Sequence, residues 1–433
     1  MASWPDRSDG IQGQGEQRRE AAPTEPVMSS VFPSVTPLVR PHGRIALRGY
    51  VLWDRLDLSW KLALWLLVTL RVGLGLIAVW SIHLTPVTQS GGMLLNLIMP
   101  SGDLWTQTLS TWQRYDALWY QQIAEHGYKA GTGTGAFYPL YPLLSRVVSL
   151  PLGGHIVLAE LCVSSVAFVL AMWLLYQVAR FYTDHRAAAL TVLLTAFFPM
   201  GFFFLAPYTE SLYLALTLSV FYFIQRNQFW VAGVAGLGGA LCHEPGVFLA
   251  LPLAYEYLRR CRAAGRRPGL GLLAAGLPVL GPITVEVYQR FIVGEQRSIL
   301  AMHASYPWGY QRVGPWQALS DSWIHIVQLG DSIEFLNLVA IIGFSLLALW
   351  ATRRLPLGYA LYVWPYLALL FTREMLLSPL MSVARLVMVL FPCFIVLAIW
   401  LARRPWLSAG WLVVSALMQI ALLEYWVRFG FVG

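Results

Sequence analysis

Residues 112–146, WQRYDALWYQQIAEHGYKAGTGTGAFYPLYPLLSR, set one carboxylate, Asp116, among tryptophans and tyrosines between two long apolar runs. Read as a helix over 112–125, a turn of about 100° per residue brings Trp112, Asp116, Trp119, Tyr120 and Ile123 to one face. Gln113, Arg114, Gln121 and Glu125 fall on the other. A carboxylate on a packed aromatic face is a candidate proton acceptor, and burial there would strengthen it in that role. The competing reading is a structural ion pair with Arg114, Lys129 or Arg146.

Other residues have the chemistry to meet a substrate. In AFYPLYP, Pro139 and Pro142 hold an irregular chain while Phe137, Tyr138 and Tyr141 supply rings. Such rings suit a membrane interface and also stack on sugar faces. Arg373, Arg385 and Lys129 are cations that either snorkel to the membrane surface or face the site. Glu210 opens the apolar segment after APY, where a carboxylate complements a helix N-terminus or binds an acceptor or a cation. Arg71 falls near the middle of the first apolar run, so it needs a partner, with Glu286 and Glu244 as candidates, or a wet cavity.

These side chains need a scaffold, and composition says which kind. Of 433 residues, 57% are hydrophobic and 12% charged, against about 25% charged in an ordinary soluble domain. The expected class is an all-α polytopic membrane protein. Apolar runs near the roughly 20 residues that cross a bilayer recur at 61–83, 156–180, 187–206, 209–225, 229–256, 270–292, 334–351, 356–372, 383–402 and 406–426. Residues 1–58 read as a disordered cytoplasmic tail and juxtamembrane segment, and 59–433 as the membrane domain. The four cysteines lie in or beside apolar segments without C-x-x-C or zinc spacing, and read as small buried hydrophobes.

The net charge of +8 does not imply a nucleic-acid partner, because the arginines cluster beside apolar runs as topology determinants. Placing Arg40, Arg44, Arg48 and Arg55, the Arg259–Arg267 cluster, Arg353, Arg354, Arg403 and Arg404 all in the cytoplasm fails if 229–256 is one crossing. The sequence CHEPG at 242–246 breaks that run with a proline and a glycine. Two short helices, about 229–242 and 246–258, then form a hairpin and bring the total to about 11 segments with the N-terminus cytoplasmic. The long interruptions 84–155, a large helical loop, and 293–333 become external, as does 373–382. ATP and nucleotide sugars are cytosolic, and no Walker or Rossmann glycine pattern occurs.

WQRYDALWYQQIAEHGY followed by AFYPLYPLLSR resembles the W-x-R-[WY]-D-[AS]-x-x-[FY]-x-x-I-A-x-x-G-Y and A-F-[FY]-P-x-Y-P signatures of the PIG-V family of GPI-anchor mannosyltransferases and their prokaryotic homologues. Residues 197–223, FFPMGFFFLAPYTESLYLALTLSVFYF, resemble its proline-aromatic stretch ending in P-Y-[ST]-E-[SA]-L. Residues 379–398, PLMSVARLVMVLFPCFIVLA, are similar to its late S-x-x-R-[YL] and F-P helix. The resemblance implies the GT-C architecture, a polyprenyl- or dolichyl-phosphate sugar donor, and Asp116 as the essential acid. It places Arg114, Tyr138, Tyr208, Glu210 and Arg385 at matching motif positions. A lipid-phosphate donor of the kind it implies would leave an anion for Arg373, Arg385 and Lys129 to neutralise. Three departures stand out: GTGTG at 131–135 where relatives often carry an acid, CHEPG where they often have T-R-x-x-G, and a second loop, 294–316, without the common Ala-Gln.

The resulting expectation is a membrane glycosyltransferase that moves a hexose, mannose by resemblance, from a polyprenyl-phosphate sugar to an external glycolipid or glycan by inverting displacement. Asp116 is its catalytic residue. Arg114, Trp119, Tyr120, Lys129, Tyr138, Tyr208, Glu210, Arg373 and Arg385 are its substrate-binding candidates, and membrane lipid is its surroundings. No metal site is assigned, although a divalent cation between Asp116 and Glu210 stays open, and a bacterial plasma membrane is the expected location. The alternatives are a secondary transporter or lipid flippase, which calls for paired broken helices, and a non-catalytic subunit of a glycosylation complex.

Overall fold

The computed structural model describes residues 56–84, 102–305, 309–375 and 378–432. The expected tail therefore lies outside the described residues through residue 55, as does 85–101 of the first long loop. Helices Leu58–Leu84, Ile156–Arg180, Leu270–Val293, Ser332–Arg354 and Pro405–Val427 are long and apolar enough to cross a membrane. Val383–Val389 and Phe391–Leu401 pass the same test together but bend by 77° at their junction. Glu210–Gln225, Phe229–Cys242 and Leu357–Phe371 are apolar and shorter. The chain is a helical, multi-pass membrane protein.

The first long helix shows why. Its inner face, Ala63, Leu66, Leu70, Leu74 and Ala78, is buried, whereas Trp65, Val68, Val72, Leu76 and Trp80 are exposed at the same three-to-four-residue spacing. Water does not tolerate so long an apolar stripe on a monomer, but lipid does. Arg71 faces inward from this helix. Its Nη1 donates to the Leu205 carbonyl at 2.8 Å, its Nη2 donates to Ser165 Oγ at 2.6 Å, and its guanidinium lies 5.4 Å from the Trp112 ring. The expected partners Glu286 and Glu244 are not used. Irregular backbone at residues 201–206 leaves carbonyls that a mid-helix arginine can satisfy, which removes the cost of its burial.

The break expected at CHEPG is present. Phe229–Cys242 ends there, a 3₁₀ turn Glu244–Leu249 follows, and Ala250–Ala263 runs on. Pro245 cannot donate to the preceding turn, and Gly246 lies against the backbone of Gly239 and Ala240, where no Cβ fits.

A helix of 27 residues such as Leu58–Leu84 spans about 40 Å, so the bundle has two distinct ends. At one, Gln177 donates to Ser59, Gln225 to Tyr182, and Glu256 pairs with Arg259 and Arg260. At the other, Gly131 is bonded to Glu295, and strand Tyr310–Arg312 pairs antiparallel with Arg373–Met375. The three interruptions expected on one face of the membrane thus meet at one end, opposite the Arg259–Arg260 pair.

Candidate active site

Asp116 begins a helix, Asp116–His126. The expected helix over 112–125 starts four residues late because Tyr115 has φ 51° and ψ −115°, a conformation no helix continues through. Trp112 leaves the Asp116 face as a result. It is buried near Trp426, with ring centres 6.2 Å apart. At the first position of the helix, the Asp116 carboxylate complements the dipole.

Its ion partner is Arg385, whose Nη1 donates to Asp116 Oδ2 at 2.8 Å, and not Arg114, Lys129 or Arg146. The nearer candidates are committed elsewhere or distant from it: Arg146 donates to the carbonyls of Ala124 and Glu125, and Lys129 is exposed. Arg385 Nε also lies 3.3 Å from Glu210 Oε1. Side-chain exposure falls from 28% at Asp116 to 11% at Arg385 and 3% at Glu210, so the acid at the mouth is Asp116 and Glu210 is sealed behind the arginine. Glu210 is the first residue of Glu210–Gln225, where a carboxylate suits the helix start, and it also reaches Arg385. The guanidinium sits 5.2 Å from the Tyr208 ring and 5.4 Å from the Phe203 ring, where ring faces favour a cation.

Tyr120 and Tyr208 lie within electrostatic reach of Asp116, Glu210 and Arg385. Trp119 stacks on Phe137, with centroids 5.6 Å apart. A second ion pair, Arg373 with Glu244, borders the first. Tyr310, 5.3 Å beneath the Arg373 guanidinium, feels Arg373, Arg385, Asp116 and Glu244 together, and Tyr138 faces Glu244 and Arg373. Arg114 turns away from both pairs, donating from Nε to the Val427 carbonyl at 2.7 Å and from Nη1 to Ser110 and Gln113. Among the described residues, no three His, Cys, Asp or Glu side chains gather to hold a metal ion.

Residues 62–235 match the family model Mannosyltransferase (PIG-V). The match supports a membrane glycosyltransferase, and within it lie Asp116, Tyr208 and Glu210, whereas Arg385 comes from outside the PIG-V match. No curated protein matches the chain. Among solved structures, it is similar to the oligosaccharyltransferase of Archaeoglobus fulgidus with zinc and sulfate, at 14% identity and TM-score 0.39, over 84% of this chain and 53% of that one. The same enzyme in its apo form gives 12% identity and TM-score 0.41 over 84% and 56%. In complex with an inhibitory peptide and a dolichol-phosphate it gives 11% and 0.37 over 84% and 56%. The chain spans about half the length of these structures.

Two residues that deliver Arg385 were not read from the sequence. Glu334, fully buried, accepts from Leu380 N at 2.9 Å and from Ser378 Oγ at 2.7 Å, and Asn337 accepts from Ala384 N at 2.9 Å. They stand three residues apart in the first turns of Ser332–Arg354 and so share a face. That spacing, an acid and an amide opening an apolar helix, is the signal that was there to find. Ser382, with φ 66°, completes the turn into the helix Val383–Leu386 that carries Arg385.

GTGTG also acquires a role. Gly131 and Gly133 take positive φ values of 77° and 85°, and Gly135 lies against the end of the Met302 side chain, which a Cβ there would have to displace. The Gly131 amide donates to Glu295 Oε2 at 2.8 Å, so an acid from the second loop reaches this segment. Two bonds from the Arg297 side chain, together with those from Gly131 and the Arg297 amide, hold the Glu295 carboxyl well below the ordinary carboxylate range, at about 2.

Proposed function

We propose that the protein transfers a hexose, mannose on the family match, from a polyprenyl-phosphate sugar to a hydroxyl of a glycolipid or glycan. The observation that carries this reading is the Asp116–Arg385 pair, a half-open carboxylate held by one oxygen at the mouth of an aromatic-lined end of a membrane bundle. Arg385 occupies Oδ2, which leaves Oδ1 for the acceptor. Oδ1 takes the acceptor's proton as the acceptor oxygen attacks C1 of the sugar. The bond from C1 to the phosphate oxygen breaks, and the phosphate leaves as an anion with inversion at C1. A general base in such a step contributes about 10² to 10⁴ in rate. Arg373 and Arg385 supply positive charge for the leaving phosphate, and Tyr138, Tyr310 and Trp119 supply rings for the sugar. The positive-inside rule supports about 11 crossings with a cytoplasmic N-terminus and the site on the external face, while a bacterial plasma membrane rests on the short loops and the three departures from the family pattern.

The test uses membranes containing the full chain and a synthetic polyprenyl phosphomannose. Asp116→Asn should abolish transfer to lipid acceptors while leaving the amount of protein and its melting midpoint unchanged; near-normal transfer removes Asp116 as the base.

A second reading, a secondary transporter or lipid flippase, draws on one observation. The bend between Val389 and Phe391 adds a second broken element to the one at CHEPG, as that class expects. Gradient-driven uptake by the purified protein in vesicles, unaffected by Asp116→Asn, would favour it.

A further inference from the structure

We propose that residues 427–432, the last residue of the last long helix and those that follow it, form a clasp that positions Asp116. Tyr115, immediately before Asp116, has φ 51°, and Phe429 has φ 65°. Both values are unusual for bulky side chains and persist only where the surroundings over-determine them. Here each holds the other. The Tyr115 hydroxyl donates to the Phe429 carbonyl, and the Tyr115 ring meets Phe429 edge-on at 6.2 Å and Phe431 at 5.1 Å. Arg114 donates from Nε to the Val427 carbonyl at 2.7 Å and lays its guanidinium 4.1 Å from the Phe429 ring centre. From the other side, the Tyr208 hydroxyl donates to the Arg114 carbonyl at 3.2 Å.

The same segment is tied to the bundle. Arg428 donates to Ser81 Oγ at 3.2 Å and to Glu424 at 2.6 Å, and Trp426 is fully buried against Phe202, Phe203 and Tyr208. Because Asp116 is the first residue of its helix, any rotation at Tyr115 swings its carboxylate directly. Misplacing a reacting group by about 1 Å can cost about 10²-fold in rate. Arg114, Tyr115 and Phe429 are therefore positioning residues that act through Asp116, a role that rests on the reading of Asp116 as the proton acceptor.

The experiment measures maximal transfer rate, donor KM and melting midpoint for the full chain in membranes with polyprenyl phosphomannose. Tyr115→Phe deletes one hydroxyl, and Phe429→Leu deletes the ring that Arg114 and Tyr115 meet. Both should lower the maximal rate by about tenfold or more, with donor KM and melting midpoint unchanged, and Phe429→Tyr should restore the wild-type rate. Wild-type rates in both variants overturn the clasp, and so does a rate that falls only alongside the melting midpoint, which marks a merely structural contact. Asp116→Asn separates the two ideas. If that variant turns over normally, the proton-acceptor reading fails; if it is dead while the clasp variants are fully active, only the clasp fails.

Discussion

Arg385 and Asp116 are 269 residues apart in the chain and 2.8 Å apart in space, and Glu210 lies 3.3 Å from the same guanidinium. One arginine thus separates two carboxylates. Replacing it with glutamine leaves both facing each other without a counter-charge, a change of the kind that costs about 3 to 5 kcal/mol at a buried pair. Arg385→Gln should lower the melting midpoint and remove transfer. Arg385→Lys keeps the charge but cannot contact both acids with a planar fork, so it should melt nearer the wild type and still transfer poorly.

Glu334 and Asn337 hold the loop that presents Arg385 without touching Arg385 itself. Glu334→Ala strips the Leu380 amide and the Ser378 hydroxyl of their acceptors, and an orphaned buried donor costs about 1 to 3 kcal/mol. The expected outcome is a lower melting midpoint and a maximal rate down by about tenfold. Wild-type values for both would show that the loop holds its shape without this carboxylate.

Glu244 neutralises Arg373. Glu244→Gln leaves that cation free for an anionic donor, so donor KM should fall several-fold, and the gain should shrink as salt rises. Arg373→Ala should move KM the other way. A steady-state titration of polyprenyl phosphomannose at two salt concentrations measures both, and unchanged KM values would place the donor phosphate elsewhere.

The Glu295 carboxyl, at about 2 in the folded chain, has a reference value of about 4.3. A depressed carboxylate contributes stability that is complete above the reference value and is lost as pH falls toward the folded value. Protection of the Gly131 amide from hydrogen exchange should therefore persist from neutral pH through about 5 and decline below about 4. In Glu295→Gln it should be weak at every pH.

A methyl group at Gly246 would collide with the backbone of Gly239 and Ala240, which no rotamer relieves. Gly246→Ala should yield little folded protein in detergent chromatography. Gly131→Ala, where a Cβ meets nothing but φ is +77°, should fold with a modest loss of about 1 kcal/mol.

Much of the architecture was legible without coordinates because its causes are local. A helix in lipid needs a continuous apolar run, so 156–180 could be read within a residue of Ile156–Arg180. Pro245 and Gly246 break a run wherever they fall, and the hairpin at CHEPG follows. Asp116, Tyr120, Tyr208, Glu210 and Arg385 were each identifiable by type and motif. Their grouping into one cluster was not, since nothing along the chain says which of several arginines closes a 269-residue loop onto which acid. Trp112 and Arg71 went astray for the same reason. Regular periodicity carried the helix back through Tyr115, whose positive φ is accompanied by a hydrogen bond to Phe429, more than 300 residues later. Arg71 was matched to acids because charge is visible in a sequence, whereas the unpaired carbonyl of Leu205 appears only once the bundle has closed around it.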